Sequence, residues 1–272
     1  MNIEHGYWEN EPIMENENDV LYIVVPAYNE QDNIGNLIDD WYPVVEKHNG
    51  AGKSRLVIVN DGSKDNTSAI VSEKSKNLPL LVSLDKPNGG HGSTVLFGYR
   101  YAIENGADWI FQTDSDGQTN PNEFDAFWNA RMTHDAIIGN RSDRQDGSSR
   151  RFVEKTLLFI LHMTFGVKMP DSNAPFRLMK RELVSKYIDK MPRNYNLPNV
   201  MFSTYFVYFH ENIEFRHVTF KPRQGGVNSI NMKKIFGIGK KALRDFRYLK
   251  QHIDDDTKPI EDSNGNLVPS AQ

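Results

Sequence analysis

Short apolar runs recur along residues 20–138, and each is followed by a polar turn and then by apolar residues at helical spacing. Few folds accommodate that rhythm. Val20–Val25 is apolar throughout, which predicts a strand buried on both faces and stopped by Pro26. Ile34, Leu37, Ile38, Trp41 and Val45 then fall on one helical face. The unit repeats with a strand at Leu56–Val59, a turn through Asp61-Gly62-Ser63 and a helix near Asn66–Lys76. Leu80–Leu84, Trp109–Gln112 and Ala136–Ile138 are further strands, with a helix marked by Val95, Leu96, Tyr99, Ala102 and Ile103 after a glycine-rich loop. Asn120-Pro121-Asn122-Glu123 resembles a capping box with proline at the first helical position. Strands alternating with helices imply an α/β, doubly wound, mostly parallel sheet flanked by helices.

Beyond about residue 145 the alternation weakens. An apolar helix at Phe152–Phe165, a loop at Met169–Arg177, a helix near Arg181–Ile188, a second apolar stretch at Leu197–Phe209 and a strand at Phe215–Phe220 are expected. The chain thus divides into an acidic extension (1–19), a ligand-binding half (20–142), a more helical half (143–253) and a polar tail (254–272).

Composition narrows the function. At roughly 100–200 residues per domain, 272 residues allow one large α/β domain or two small ones. A 38% hydrophobic and 25% charged content excludes disordered and fibrous classes. With 32 basic and 36 acidic side chains the net charge is −4, which gives no general affinity for nucleic acid. Residues 221–250 nevertheless carry nine Lys/Arg and one acid, a local +8 against −12 for the rest. The absence of cysteine excludes disulfides, thiolate nucleophiles and Cys-ligated zinc, and suits a reducing, cytoplasmic setting. The opening MNIEHGYWENE lacks a basic and an apolar region, so no signal peptide is expected. Thr156–Val167, about 12 residues interrupted by His162, is too short to span a bilayer.

In a sheet of this kind ligands bind outside the C-terminal ends of the strands. Tyr28-Asn29-Glu30, Asn60-Asp61-Gly62-Ser63 and Asp114-Ser115-Asp116 all lie at that end and are expected to converge. Asp114 and Asp116, two positions apart, share a face if the extended chain continues, and Gln118 continues the alternation. Like charges so close call for a cation. Hard oxygen ligands select Mg²⁺ or Mn²⁺, usually completed by substrate phosphates. A solvated acidic turn is the alternative reading of the same pattern.

VVPAYNE (24–30), NDGSKDNT (60–67), NGGHGSTVLFG (88–98), TDSDGQ (113–118) and GNR (139–141) occur in that order with strand–helix spacing between them. The set resembles family 2 glycosyltransferases of the GT-A fold, which move a sugar from a nucleotide diphosphate to an acceptor with inversion. The resemblance implies that Pro26, Tyr28 and Glu30 line the pocket for base and ribose and that Asp61 accepts a hydrogen bond from the base. It implies that Asp114 and Asp116 address the ribose–diphosphate and its metal, and that Arg141 clamps a phosphate. Gly89 and Gly90 let backbone approach the ligand. His91 stands where the family often has lysine.

DSNAPFRLMKREL (171–183) and RQGGVNSIN (223–231) resemble segments of polyprenyl-phosphate sugar transferases such as dolichol-phosphate mannose synthase, which implicates Asp171, Arg177 and Arg223. Relatives that glycosylate hydroxyls place acids in the segment equivalent to Arg193–Ser203, and RNYNLPNVMFS has none. A hydroxyl needs a base in the transition state. A phosphate monoester, with a second pKa near ~6, is already anionic. A polyprenyl-phosphate acceptor is therefore expected, with UDP- or GDP-linked donors both open and Asp171 as the alternative base. A saccharide or other hydroxyl acceptor, a non-catalytic nucleotide-sugar binder and a nucleotidyltransferase are the competing readings.

Within 232–250, Ile235, Gly239, Ala242, Phe246 and Leu249 share a helical face while Lys233, Lys234, Lys240, Lys241, Arg244 and Arg247 spread elsewhere. That is the pattern of an interfacial helix at the inner face of a membrane, or of a surface helix packed on the domain.

Overall fold

The computed structural model of the chain describes residues 18–141, 147–221 and 232–253. The strands are β1 (Leu21–Ala27), β2 (Arg55–Asn60), β3 (Leu81–Asp85), β4 (Trp109–Gln112), β5 (Ala136–Asn140), β6 (Arg177–Lys180) and β7 (Ile213–His217). The helices are α1 (Ile34–Lys47), α2 (Thr67–Ser75), α3 (His91–Glu104), α4 (Phe124–Ala130), α5 (Gly147–Phe165), α6 (Arg181–Ile188), α7 (Pro198–Tyr208) and α8 (Met232–Gln251). All seven strands form one sheet in the order β3-β2-β1-β4-β6-β5-β7. The halves expected on either side of residue 142 therefore share a single sheet.

Every residue of β1 is buried, as its unbroken apolar run requires of a central strand. Tyr22 and Val24 face one core with Val59, Tyr99 and Phe202, while Leu21, Ile23 and Val25 face another with Trp41, Phe111 and Phe176. Period-two alternation along β1 thus feeds both layers.

β1 outruns its expected end. Pro26 pairs with Val59 of β2, and Ala27 with Asn60. On the other side pairing with β4 stops at Val24–Gln112, followed by the Thr113 N–H donating to the Val24 carbonyl at 3.2 Å. Residues two apart in a strand present their backbone groups to the same neighbour, so position 26 faces β4 where the ladder has already ended. Proline fits there because no donor is needed.

Among the described strands β6 alone runs against its neighbours, antiparallel to both β4 and β5. The sequence predicts a loop that ends on its first residue, Arg177. A four-residue strand that opens on arginine carries little strand signal, and its position comes from wedging Leu178 and Met179 into the two cores. The expected strand at 215–220 lies two residues earlier, at the edge of the sheet.

The segment 120–123 is a 3-10 turn in which Asn120 Oδ1 accepts from Asn122 N at 3.3 Å. Glu123 does not close a box. Its carboxylate instead accepts the Thr219 N–H and hydroxyl, tying the exit of β7 to the start of α4. α8 packs against α5 through the Phe165–Phe246 ring contact. Ala242, Phe246 and Leu249 of the expected interfacial face are buried in the protein, so from residue 242 onward that face is not available to a membrane. Ile235 and Gly239 lie outside the described side chains. Among the described residues no helix is long and apolar enough to cross a membrane.

Candidate active site

The strand ends converge as their polar clusters imply. A cavity of about 350 Å³ opens above the C-terminal ends of β1, β2 and β4, walled by Pro26, Tyr28, Glu30, Asp61, Gly90, His91, Asp114 and Asp116 among others. β1 has β2 on one side and β4 on the other, so the crevice sits where the winding of the sheet changes direction.

The loop after β1 is braced on the loop after β2. Asn29 adopts φ +54°, a left-handed conformation that asparagine tolerates. From there its amide N–H reaches Ser63 Oγ at 2.9 Å and its Oδ1 accepts the Lys64 N–H at 2.8 Å. Glu30 is held through its N–H to Thr67 Oγ1 and through Oε2, which accepts Asn33 Nδ2, both at 2.8 Å. Tyr28 is left half-exposed on the wall.

Asp61 gathers the glycine loop. Its Oδ1 accepts Lys86 Nζ at 2.5 Å and Gly89 N–H at 2.8 Å, and its Oδ2 accepts Gly90 N–H at 2.8 Å. Gly90 turns its amide inward at φ +86°, where a side chain is disfavoured. Burial pushes the Asp61 pKa up, but Lys86, the Gly89 amide and Thr94 outweigh it and hold the carboxyl below its usual range. Of the roughly four acceptor positions of a carboxylate, these three donors leave little for a ligand. Gly89 does not line the cavity, and acts through Asp61.

After β4 the chain turns at Ser115–Gly117, with Gly117 at φ +70°, so the extended alternation does not continue to Gln118. Gln118 is buried, and its Nε2 donates to the Lys221 carbonyl at 2.8 Å. It lies off the cavity wall, which corrects its expected place among the metal ligands. Asp114 and Asp116 do face the cavity. Asp114 Oδ1 accepts Gln112 Nε2 at 3.3 Å, and Gln112 Oε1 accepts the buried Tyr99 hydroxyl at 2.9 Å. His91 Nε2 stands 3.8 Å from Asp114 Oδ1.

The two expected outer groups take each other. Arg141 Nε and Nη2 donate to Asp171 Oδ2 and Oδ1 at 2.7 and 3.0 Å, and Asp171 is 1% exposed. Burial acts against both charges, yet the pairing lowers the Asp171 pKa and raises that of Arg141. An acid so placed is a weak proton acceptor, and a guanidinium so engaged is not aimed at a phosphate. The structure thus sets the expected base, Asp171, and the expected clamp, Arg141, against each other.

Arg177 is fully buried, donating to the Ala174 and Asn199 carbonyls at 2.9–3.0 Å. It anchors the entry to β6 onto α7 and cannot reach a nucleotide. Arg223 lies outside the described residues.

Lys86 and Gln112 are site residues that no motif marks. Gln112 left a signal in being the polar end of an otherwise apolar strand, WIFQ. Lys86 left none, because its partner lies 25 positions away.

A doubly wound sheet with a carboxylate-lined crevice at its switch point defines a ligand-binding α/β fold, and comparison places it further. The chain belongs to glycosyl transferase family 2, which matches residues 22–188. It is 26% identical over 180 residues to an undecaprenyl-phosphate 4-deoxy-4-formamido-L-arabinose transferase of Pectobacterium atrosepticum, covering 65% of this chain and 53% of that protein. It is 29% identical over 177 residues to a dolichyl-phosphate beta-glucosyltransferase of Trichomonas vaginalis, covering 60% and 53%. The chain spans about half the length of these curated relatives. Glucosyl-3-phosphoglycerate synthase from Mycobacterium tuberculosis, crystallised with Mn²⁺, UDP and glucosyl-3-phosphoglycerate, superposes with a TM-score of 0.62 at 14% identity, covering 90% of this chain and 84% of that one. S. aureus TarS gives 0.55 at 17% identity, covering 88% and 67%. The chain therefore has the GT-A fold.

Proposed function

We propose that this protein transfers a sugar from a nucleotide-diphosphate sugar to a polyprenyl phosphate, with inversion at the anomeric carbon. The observation that carries the reading is the meeting of Asp114 and Asp116 with Tyr28 and the Asp61-held glycine loop in one crevice. Pro26 and Tyr28 offer an apolar and aromatic wall to a flat base, while Glu30 faces the ribose side.

Two carboxylates beside a diphosphate would repel it, so the donor set fits a hard divalent ion, Mg²⁺ or Mn²⁺, held by Asp114 and Asp116 and completed by substrate oxygens. Such an ion would offset the charge on the departing nucleotide diphosphate. The chain's own residues orient the donor: Gln112 steadies Asp114, and Asp61 fixes the loop over the base.

The acids on the cavity wall are Glu30, Asp61, Asp114 and Asp116. Asp61 is engaged by Lys86 and the glycine loop, Glu30 by Asn33, and the other two are assigned to the metal. Among the described residues of the cavity wall no further acid is left to deprotonate a hydroxyl, which favours an acceptor that is already anionic. The polyprenyl-phosphate specificities named for the Pectobacterium and Trichomonas relatives support the same choice, and with it a reaction at a membrane surface.

The test supplies detergent-solubilised polyprenyl phosphate with UDP- and GDP-sugars and follows nucleotide release. Release that depends on the lipid supports the proposal. Equal release with free saccharides points to a hydroxyl acceptor, and donor binding without release points to a binding protein.

A further inference from the structure

α8 carries seven Lys/Arg and one acid in 20 residues. Such a helix attracts an anionic surface, but charge alone gives no depth of contact. The side expected to supply that depth is occupied, with Phe246 and Leu249 in the core.

The apolar surface lies instead on the neighbouring helix. Phe159 and Met163 of α5 are 64% and 69% exposed, the two most exposed large apolar side chains among the described residues. They stand four positions apart and so form one stripe. That stripe borders a groove between α5 and α8 of about 570 Å³, whose α8 bank includes Arg247 and Lys250. Arg247 is exposed, while the Lys250 ammonium donates to Tyr208 Oη at 2.7 Å and sits 4.0 Å from that ring. Two large side chains held out in water beside Arg247 and Lys250 have the make-up of a surface that enters headgroups: apolar groups reach the acyl boundary while cations meet lipid phosphates.

We infer that this α5–α8 face docks on an anionic bilayer, with Phe159 and Met163 inserting and Arg247 and Lys250 of α8 flanking them. The occupant follows from charge. A net +6 on α8, in a protein whose overall charge is −4, selects a negative partner. A bilayer supplies both the negative charge and the apolar interior that the two side chains need. The inference deepens the proposed transfer to a membrane-borne acceptor, and rests on that reading for its purpose but not for its test.

The full chain is floated on vesicles of phosphatidylcholine, with and without phosphatidylglycerol, in the absence of donor. Wild type floats with the anionic vesicles and not with the neutral ones. Phe159→Ser combined with Met163→Ser lowers binding by about tenfold, and Arg247→Glu lowers it by about tenfold and makes the remaining binding less sensitive to salt. Unchanged circular dichroism and unchanged nucleotide release with detergent-solubilised lipid show that each variant is folded. Absence of flotation, equal flotation on both vesicles, or full binding by the double variant overturns the inference. So does a wild-type dimer that the double variant dissociates, because a second copy then covers the face. Wild type that turns over solubilised acceptor but does not float loses only this inference. Protein that floats but never releases nucleotide loses only the transferase reading.

Discussion

Arg141 and Asp171 form a two-pronged ion pair, Nε to Oδ2 at 2.7 Å and Nη2 to Oδ1 at 3.0 Å, with neither group open to solvent. Removing one partner leaves the other charge buried, at a cost of about 3–5 kcal/mol. Asp171→Asn should therefore lower the urea midpoint sharply. Transfer measured on the remaining folded protein should stay within a few-fold of wild type. A stable variant with turnover reduced by orders of magnitude would return Asp171 to the role of base.

Asp116→Asn should behave in the opposite way. The side chain is at the cavity and not in the core, so the melting temperature without ligand should stay close to wild type. The rise in melting temperature produced by UDP with Mn²⁺ should vanish, along with transfer, because ligand stabilisation scales with native-state affinity. Metal-dependent turnover in the variant would refute the site.

Gln112 is expected to act through Asp114. Gln112→Leu strands the buried Tyr99 hydroxyl, at a cost of about 1–3 kcal/mol in stability. It also frees the Asp114 carboxylate to rotate. Mn²⁺ binding, followed by electron paramagnetic resonance, should weaken. Tyr99→Phe should reproduce part of this loss, and the double variant should lose less than the sum. Stability loss with unaltered Mn²⁺ affinity would make Gln112 a packing residue only.

Acid should unfold the protein through a small set of aspartates. Asp61 and Asp171 are held below the ordinary carboxylate range, and Asp125, which accepts from His48 and Lys47, lies at about 2. A lowered native pKa contributes stability above the unfolded value of roughly 3.9. That contribution is lost as pH falls through the native pKa. Chemical denaturation from pH 5 downward should show stability declining below about pH 4, and Asp125→Asn should flatten the decline.

Gly92 begins α3 against the backbone of Tyr195, and a Cβ there would lie 2.1 Å from the Tyr195 carbonyl oxygen. Gly92→Ala should cost about 1–3 kcal/mol by overpacking. It should also weaken donor binding, because the first turn of α3 carries His91 into the crevice. Wild-type stability in the variant would show that the 195–196 loop yields.

The parallel core of the fold was legible because its strands are buried on both faces and their apolar runs are unbroken. The convergence of Tyr28, Asp61, Asp114 and Asp116 was legible for a related reason, since parallel topology sends every strand end to the same edge. β6 was not legible, since a buried arginine that bonds to carbonyls looks in sequence like an exposed one. For the same reason Arg177 and Arg141 read as ligand groups. A charged residue carries no mark of whether its counter-charge is a substrate or another part of the chain, and the Arg141 partner sits 30 positions away. Gln118 misled differently: the alternation was right for a strand, and Gly117 ended the strand.

Pro26 has a consequence for the crevice itself. The next rung of the β1–β4 ladder would need an N–H from position 26 directed at the Thr113 carbonyl, and an imino acid has none to give. The sheet cannot zip shut past Val24. One missing hydrogen atom thus holds a slot ajar between two central strands, so that the carboxylates after β4 hang over an opening and not over a continued ladder.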